Sequence, residues 1–352
     1  MTPEPSPEPA PTPAAMSAAS VPYRVAEAVL RGRGADIRTA EPGRGWTNAT
    51  WLAEDLVVRV ARRAGAADLL REERLLRLLP PGTGCPAVVD SGVLEGHEWV
   101  LTRRVPGRNL EEVWPTLDPA ARSRAVAQMW ERARHVHRTD VTAVAPYVRD
   151  RSPFFPDGPE QAAAGLARLV AAGALGASVA RGLGPVLDRC WAALPQAPRV
   201  LNHGDFCPPN TLWHDGRVTA LLDFEFAVVA PLAVDLNELV KLAYAPAAQP
   251  TDQPTDQPAA QPTAQPGDEP AAEAERAALR AVVEPIAAAE LDAAGGPDVL
   301  LGHAVLLEMW MLENDLASDD PDPQDRATAT ALLTAFAEGD GGFYAPLLAS
   351  RR

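Results

Sequence analysis

Three side chains carry the chemistry this sequence offers: the carboxylates of Asp205 and Asp223 and the amide of Asn210. They lie in a stretch reading Arg199-Val-Leu-Asn-His203-Gly-Asp205-Phe-Cys-Pro-Pro-Asn210-Thr-Leu-Trp-His-Asp215-Gly216-Arg-Val-Thr-Ala-Leu-Leu-Asp223-Phe-Glu225. Asp215-Gly216 suits a tight hairpin turn, with Thr211 to Trp213 and Val218 to Leu222 as its arms. A hairpin returns the chain, so Asp223 at the end of one arm lies near Asn210 at the start of the other, with Asp205 on the loop just before. Such a set has the hard oxygen ligands that a magnesium ion prefers. It also leaves one carboxylate to orient a hydroxyl nucleophile. Clustered Asp and Asn beside turns also serve simply as turn formers, and the spacing alone leaves both readings open.

Elements on either side must hold these residues. Residues 1–20 read as a disordered Pro-rich tail, since prolines at alternate positions block helix and sheet alike. From Val21 the signals are globular, with a short helix suggested by Val25, Val29 and Leu30. Ala49 to Leu52 and Leu56 to Ala61 read as two strands. Ala67 to Leu79 reads as a helix that Pro80-Pro81 ends. Val88-Val89 and Trp99 to Leu101 are further strand candidates, and Pro106-Gly107 marks a break. Beyond it residues 119–138, 159–174 and 178–194 have amphipathic helical spacing. The strand-rich island at 199–228 comes next, and then helices from about 231, 270, 298 and 323. Residues 247–270 are expected to be a disordered insertion, because Gln-Pro recurs at every fourth position from Gln249 and nothing large and apolar is there to pack.

The chain has 352 residues and a net charge of 32 − 47 = −15. Residues 1–200 hold 25 Arg against 22 Asp and Glu; residues 201–352 hold six Arg and Lys241 against 25. The resulting +3 and −18 speak against nucleic acid as a partner, which calls for a basic face; an acidic half favours cationic partners or serves solubility alone, and the charge leaves both readings open. Lys241 is the sole lysine. No run of about 18 uncharged apolar residues is present, so no membrane partner is expected. Cys85, Cys190 and Cys207 are too scattered for a disulfide framework or a cysteine zinc site. The first twenty residues lack the basic start and apolar block of a signal peptide, so the expected location is cytoplasmic.

His203-Gly-Asp205, then Asn210, then Asp223, resembles the catalytic loop and metal-binding Asp of the aminoglycoside phosphotransferase family. Other segments match in order over about residues 25–240. Gly45-Trp-Thr47-Asn48 resembles the phosphate-covering loop, and Val57-Val-Arg59-Val the strand carrying a phosphate-contacting basic residue. Arg71-Glu72 resembles the start of the helix with its acidic partner. Trp99 to Gly107 resembles the hinge, Val136-His137 with Asp140 the short Leu-His segment, and Asp235-Leu236 the downstream Asp-Leu pair. The resemblance implies an α+β, bilobal protein-kinase-like fold: a small antiparallel-sheet lobe over residues 21–103, binding nucleotide, and a larger, mainly helical lobe over 104–352. It implies transfer of the γ-phosphate of ATP, with GTP left open, to a hydroxyl of a small, cationic natural product, as in antibiotic inactivation. Asp205 takes the role of base, Asn210 and Asp223 hold Mg2+, and His203 braces the loop.

Gly45, Thr47 and Asn48 are then expected over the phosphates. Arg59, where protein kinases carry lysine, offers a fork that binds phosphate oxygens and pairs with a carboxylate. Glu72 is the expected partner, with Glu73 adjacent and open as a swap. Leu101 to Arg103 are expected to line the adenine slot, largely through backbone. Asp235 opens a helix, so capping competes with any other role. For the acceptor, Glu308, Trp310, Glu313 and Asp315 on the helix from about Val299 are the candidates, with Asp319, Asp320, Asp322 and Asp325 as an acidic loop beyond. Two other readings are a metabolic kinase acting on choline, a sugar or an amino alcohol, and a catalytically inactive nucleotide-binding module.

Overall fold

A computed structural model of the chain describes residues 20–43, 47–66, 68–244, 269–318, 321–339 and 341–349. The tail to residue 19, Gly45, residues 247–268 of the expected insertion, Asp319 and Asp320 lie outside the described residues.

The smaller lobe is one antiparallel sheet between two helices. Helix α1 (Val21–Arg31) is capped by the Ser20 side chain, which accepts from Tyr23 N. Strands β1 (Glu41–Pro42), β2 (Asn48–Leu52) and β3 (Leu56–Ala61) precede helix α2 (Asp68–Leu76), and β4 (Val88–Leu94) and β5 (His97–Arg103) follow it. The sheet order is β1-β2-β3-β5-β4. Strand alternation divides the side chains. Val58, Val60 and Leu101 pack with α1 in one apolar cluster, while Arg59 and Val100 face the opposite way, onto the cleft. Helix α2 is shorter than the expected 67–79: the chain turns with Leu78 N on Leu75 O before Pro80 is reached.

Beyond the hinge come β6 (Arg108–Asn109), α3 (Leu110–Val113), α4 (Pro119–His137), α5 (Val141–Val144), α6 (Pro159–Ala171) and α7 (Ala177–Ala193). The island supplies β7 (Arg199–Asn202), β8 (Thr211–His214), β9 (Arg217–Leu221) and β10 (Val228–Pro231). The lobe is completed by α8 (Ala233–Tyr244), α9 (Glu269–Glu290), α10 (Pro297–Ala317), α11 (Pro323–Glu338) and α12 (Ala345–Ala349). Strands β6, β8 and β9 form one small sheet, and β7 with β10 another. Both are antiparallel and lie over α4. The larger core gathers buried residues of α4, α7, α8 and α10, including Met129, Trp130, Leu187, Leu239 and Leu306. None of the helices among the described residues is long and apolar enough to cross a membrane.

Candidate active site

A cleft of about 630 Å³ separates the lobes; the sheet face with Asn48, Thr50 and Arg59 lines one side and Asn210, Leu212, Leu222 and Asp223 the other. The hairpin behind the second wall is the one the sequence predicts. Asp215 and Gly216 take φ of 48° and 77°, both left-handed, as a two-residue turn of this twist requires. Leu222 N then donates to Asn210 O at 2.8 Å, bringing Asp223 back beside Asn210.

The loop before the hairpin is held at its backbone. Asp235, fully buried in the first turn of α8, accepts from His203 N at 2.8 Å and Gly204 N at 3.0 Å, and its Oδ2 lies 2.9 Å from His137 Nε2. It therefore ties α4, α8 and the loop together. Burial works to raise this carboxyl, but the hydrogen bond and charge of His137 and the Gly204 N–H outweigh it and hold it below its ordinary value. Gly204 has φ of 85°, and a Cβ there would sit 2.1 Å from Phe226 O, so the position admits glycine alone. His203 Nε2 faces Leu222 O at 2.8 Å, and its Nδ1 accepts from Asp205 N at 3.3 Å. The neutral tautomer with hydrogen on Nε2 satisfies both.

Asp205 is half-buried. Its Oδ2 accepts from Asn210 Nδ2 at 2.7 Å, and its Oδ1 accepts from Cys207 Sγ at 3.6 Å. Burial first, and the charge of Asp205 second, push the Cys207 thiol well up, so it remains a donor. Because Asn210 turns its Nδ2 to Asp205, its Oδ1 is left as an acceptor. With Asp223 this makes an amide oxygen and a carboxylate at one wall of the cleft, the small protein share that magnesium takes when phosphates supply the rest. Among the described residues no group of three or more His, Cys, Asp and Glu side chains is placed to hold an ion unaided. Asp223 itself is left-handed at φ 63°, a strained conformation for a residue with a Cβ.

Across the cleft, Arg59 Nη1 donates to both Glu72 oxygens at 2.8 Å, and its Nη2 to Asp223 Oδ1 at 3.2 Å. Glu72, 2% exposed, also accepts from Phe224 N at 3.1 Å. Glu73 instead pairs with Arg77, so Glu72 is the partner of Arg59. Burial pulls both members toward neutrality, raising Glu72. For Arg59 the carboxylates of Glu72 and Asp223 exceed that pull, and the net direction is upward. Two N–H bonds onto one carboxylate make the pair ionised.

Glu225 is the residue that sequence reasoning passed over. Buried two positions after Asp223, it accepts from Thr47 Oγ1 at 3.0 Å, so the larger lobe touches the small lobe just before β2 through it. Burial, then the charge of Asp223, push its carboxyl up to about 7. Its carbonyl receives Arg71 Nη2 at 3.0 Å and Arg149 Nε at 2.8 Å. Its closeness to Asp223 in the chain was the one available signal.

The remaining candidates divide. Thr47 and Asn48 line the cleft. Leu101 does not: it is fully buried on the α1 face, its strand pairs on both sides, and Val100 and Thr102 take the cleft wall instead. Arg103 lines the cleft while its Nη1 meets Asp55 at 2.5 Å. Of the acceptor candidates, Glu308 is 3% exposed and bound to Lys241 Nζ at 2.9 Å. Glu313 meets Arg168 at 2.7 Å, and Asp315 meets Arg326 at 2.6 Å. Trp310 sets its ring against Phe154, with centroids 4.8 Å apart.

A model of the phosphotransferase enzyme family matches residues 39–261. No curated protein matches the chain. Among solved structures, the GDP complex of wild-type aminoglycoside 2'-phosphotransferase-IIIa is similar at a TM-score of 0.59 and 18% identity, over 90% of this chain and 98% of that one. A thermostable mutant of aminoglycoside phosphotransferase APH(4)-Ia follows at 0.54 and 18%, over 89% and 98%. The apoenzyme of a macrolide 2'-phosphotransferase from Brachybacterium faecium matches at 0.50 and 22%, over 87% and 97%. At such identities the likeness is one of fold: a small antiparallel-sheet lobe on a larger helical lobe, in the protein-kinase-like arrangement.

Proposed function

The chain belongs to the phosphotransferase enzyme family, and on that premise we propose that it moves the γ-phosphate of a magnesium-bound nucleotide to a hydroxyl of a small molecule. The observation that carries this reading is that Asn210 and Asp223 share one wall of a cleft, with Asp205 bonded to Asn210 behind it, while the other wall presents the ion-paired Arg59. The lobe to residue 103 receives the nucleotide, and the rest of the chain supplies the base and the acceptor site. Neighbouring structures carry GDP with kanamycin and ATP with streptomycin. They support a nucleotide donor and a small hydroxylated acceptor here, with ATP as the donor and GTP open. Inactivation of a natural product in the cytoplasm is the setting that fits.

Transfer of this kind is mainly positioning and electrostatics. Asp205 accepts the proton of the attacking hydroxyl; the Asn210 and Cys207 donors keep its carboxylate aimed without protonating it. Magnesium held by Asn210 Oδ1 and Asp223 would neutralise charge on the phosphate oxygens. Arg59, fixed by Glu72, presents its fork to the same oxygens. Thr47 and Asn48 close over them from the small lobe.

Asp205→Asn tests the reading. Phosphate transfer is expected to collapse while a fluorescent nucleotide still binds with parental affinity. Equal turnover in parent and variant would remove Asp205 as the base and the reading with it.

A further inference from the structure

We propose that the acceptor is a hydroxylated, largely apolar molecule carrying at most one positive charge, one ring of which sits in the pocket between α6 and α10. This rests on the phosphotransferase reading and narrows its substrate class.

The first ground is charge. An acceptor with several ammonium groups is favoured by several free carboxylates, and three that α10 carries are already paired. Glu308 is closed in by Lys241, Glu313 by Arg168 and Asp315 by Arg326. Lys241, the sole lysine, sits on α8 three residues past Glu238 and removes the one carboxylate buried in the face of α10. Glu238, one turn beyond Asp235, is the acidic group nearest in sequence to the loop-bracing end of α8 and is half-buried. Burial first, with Asp205, Glu308 and Asp235 adding to it against Lys241, pushes its carboxyl up to about 7. With Glu308 paired to Lys241 and Glu238 raised, this wall suits a single amine better than several.

The second ground is the aromatic row leading away from the base. Phe226 lies directly on Gly204, the residue before Asp205. Its ring stands 5.1 Å from that of Phe154, and Phe154 stands 4.8 Å from Trp310, edge to face. All three are only partly buried. The row ends at a pocket of about 270 Å³ whose walls include Phe155, Leu306 and Met309, with Arg168 and Glu313 among the residues lining it. A pocket walled by aromatic and aliphatic groups with one charge pair takes apolar surface and orients it by few polar contacts. Its volume suits one ring system, and the row is continuous from there to the loop that carries Asp205.

The test compares two probes: a macrolide bearing one amine, and kanamycin, which carries several. It reads kcat and KM for acceptor and for nucleotide, with product mass. Two variants accompany the parent: Trp310→Ala, and Ala164→Trp, which fills the pocket from an exposed position of α6 and leaves the core untouched. The macrolide is expected to be phosphorylated with kcat/KM about tenfold or more above kanamycin, and both variants to raise macrolide KM about tenfold with nucleotide KM little changed. Preference for kanamycin overturns the inference and leaves the phosphotransferase reading standing. So does a macrolide KM that Ala164→Trp does not move, or a parent that binds and hydrolyses nucleotide yet phosphorylates neither probe. A parent that binds no nucleotide overturns the functional reading itself.

Discussion

Replacing Asp235 is the sharpest probe of how this site is held, because three donors converge on its two oxygens and two of them are peptide N–H groups of the catalytic loop. Each buried donor left unpaired costs about 1–3 kcal/mol. Asp235→Ala orphans three, about 3–9 kcal/mol against a total stability of about 5–15 kcal/mol, and is expected to fold poorly. Asp235→Asn is the informative change. With Nδ2 turned to the Oδ1 position, Oδ2 still serves His203 and His137 and only Gly204 N loses its acceptor, so about 1–3 kcal/mol is expected. Gly204 immediately precedes Asp205, and a displacement of about 1 Å at the reacting groups costs about 10² in rate. Turnover should therefore fall by one to two orders of magnitude while nucleotide affinity holds. Urea unfolding gives the first quantity and steady-state transfer the second. The folded carboxyl titrates below its ordinary 3.8. Its contribution is complete above that value and is lost as the pH falls through the lower, folded value. The stability gap between parent and Asn variant should accordingly be full at neutral pH and close at acid pH. A variant unfolding within about 0.5 kcal/mol of the parent at neutral pH, with unaltered turnover, would show that Asp235 does not set the loop.

Asp205→Asn should lower kcat by about 10²–10⁴ in steady-state assays. Arg59→Lys keeps the charge, but one ammonium cannot satisfy both Glu72 oxygens and reach Asp223 as the fork does; nucleotide KM is expected to rise about tenfold. Gly204→Ala forces a Cβ against Phe226 O in a left-handed conformation, and calorimetry should show at least about 2 kcal/mol of destabilisation. Chelation of divalent metal should abolish transfer, with magnesium restoring it in a direct activity assay.

The convergence of Asp205, Asn210 and Asp223 was legible because it is set locally. An Asp-Gly turn between alternating arms fixes register within a few residues, and register fixes which side chains meet. The small lobe was legible for the same reason, its β2 and β3 falling within a residue of the expected 49–52 and 56–61. Helix α6 stops at Ala171, short of the expected 174, where Gly173 adopts φ of 72° beyond its end. Long-range facts were not legible. Nothing near Leu101 says which face of β5 the cleft lies on. Nothing near Glu308 says that Lys241, 67 positions away, neutralises it. Asp235 likewise read as a competitor between cap and catalyst, whereas it binds the backbone of a loop that precedes it by thirty residues.

That last case has a general form in this molecule. The side chains with the chemistry are few, and the ones that place them act on backbone from elsewhere. Arg71 and Arg149, from different lobes, meet on the Glu225 carbonyl. Arg149 also lies over the Phe226 ring, at 5.0 Å. Arg132 joins Gly82 O below the small lobe to Val218 O of the hairpin, and Arg59 joins Glu72 to Asp223. Each of these sites needs a planar group with several donors that spans two acceptors, or an acceptor and a ring, at once. An ammonium serves one such partner well and the pair badly. A chain whose basic residues are arginine everywhere but position 241 is thus suited to hold two lobes in register through its guanidinium forks. Its one lysine stands where Glu308, with Glu238 a turn away on α8, needs a compact charge.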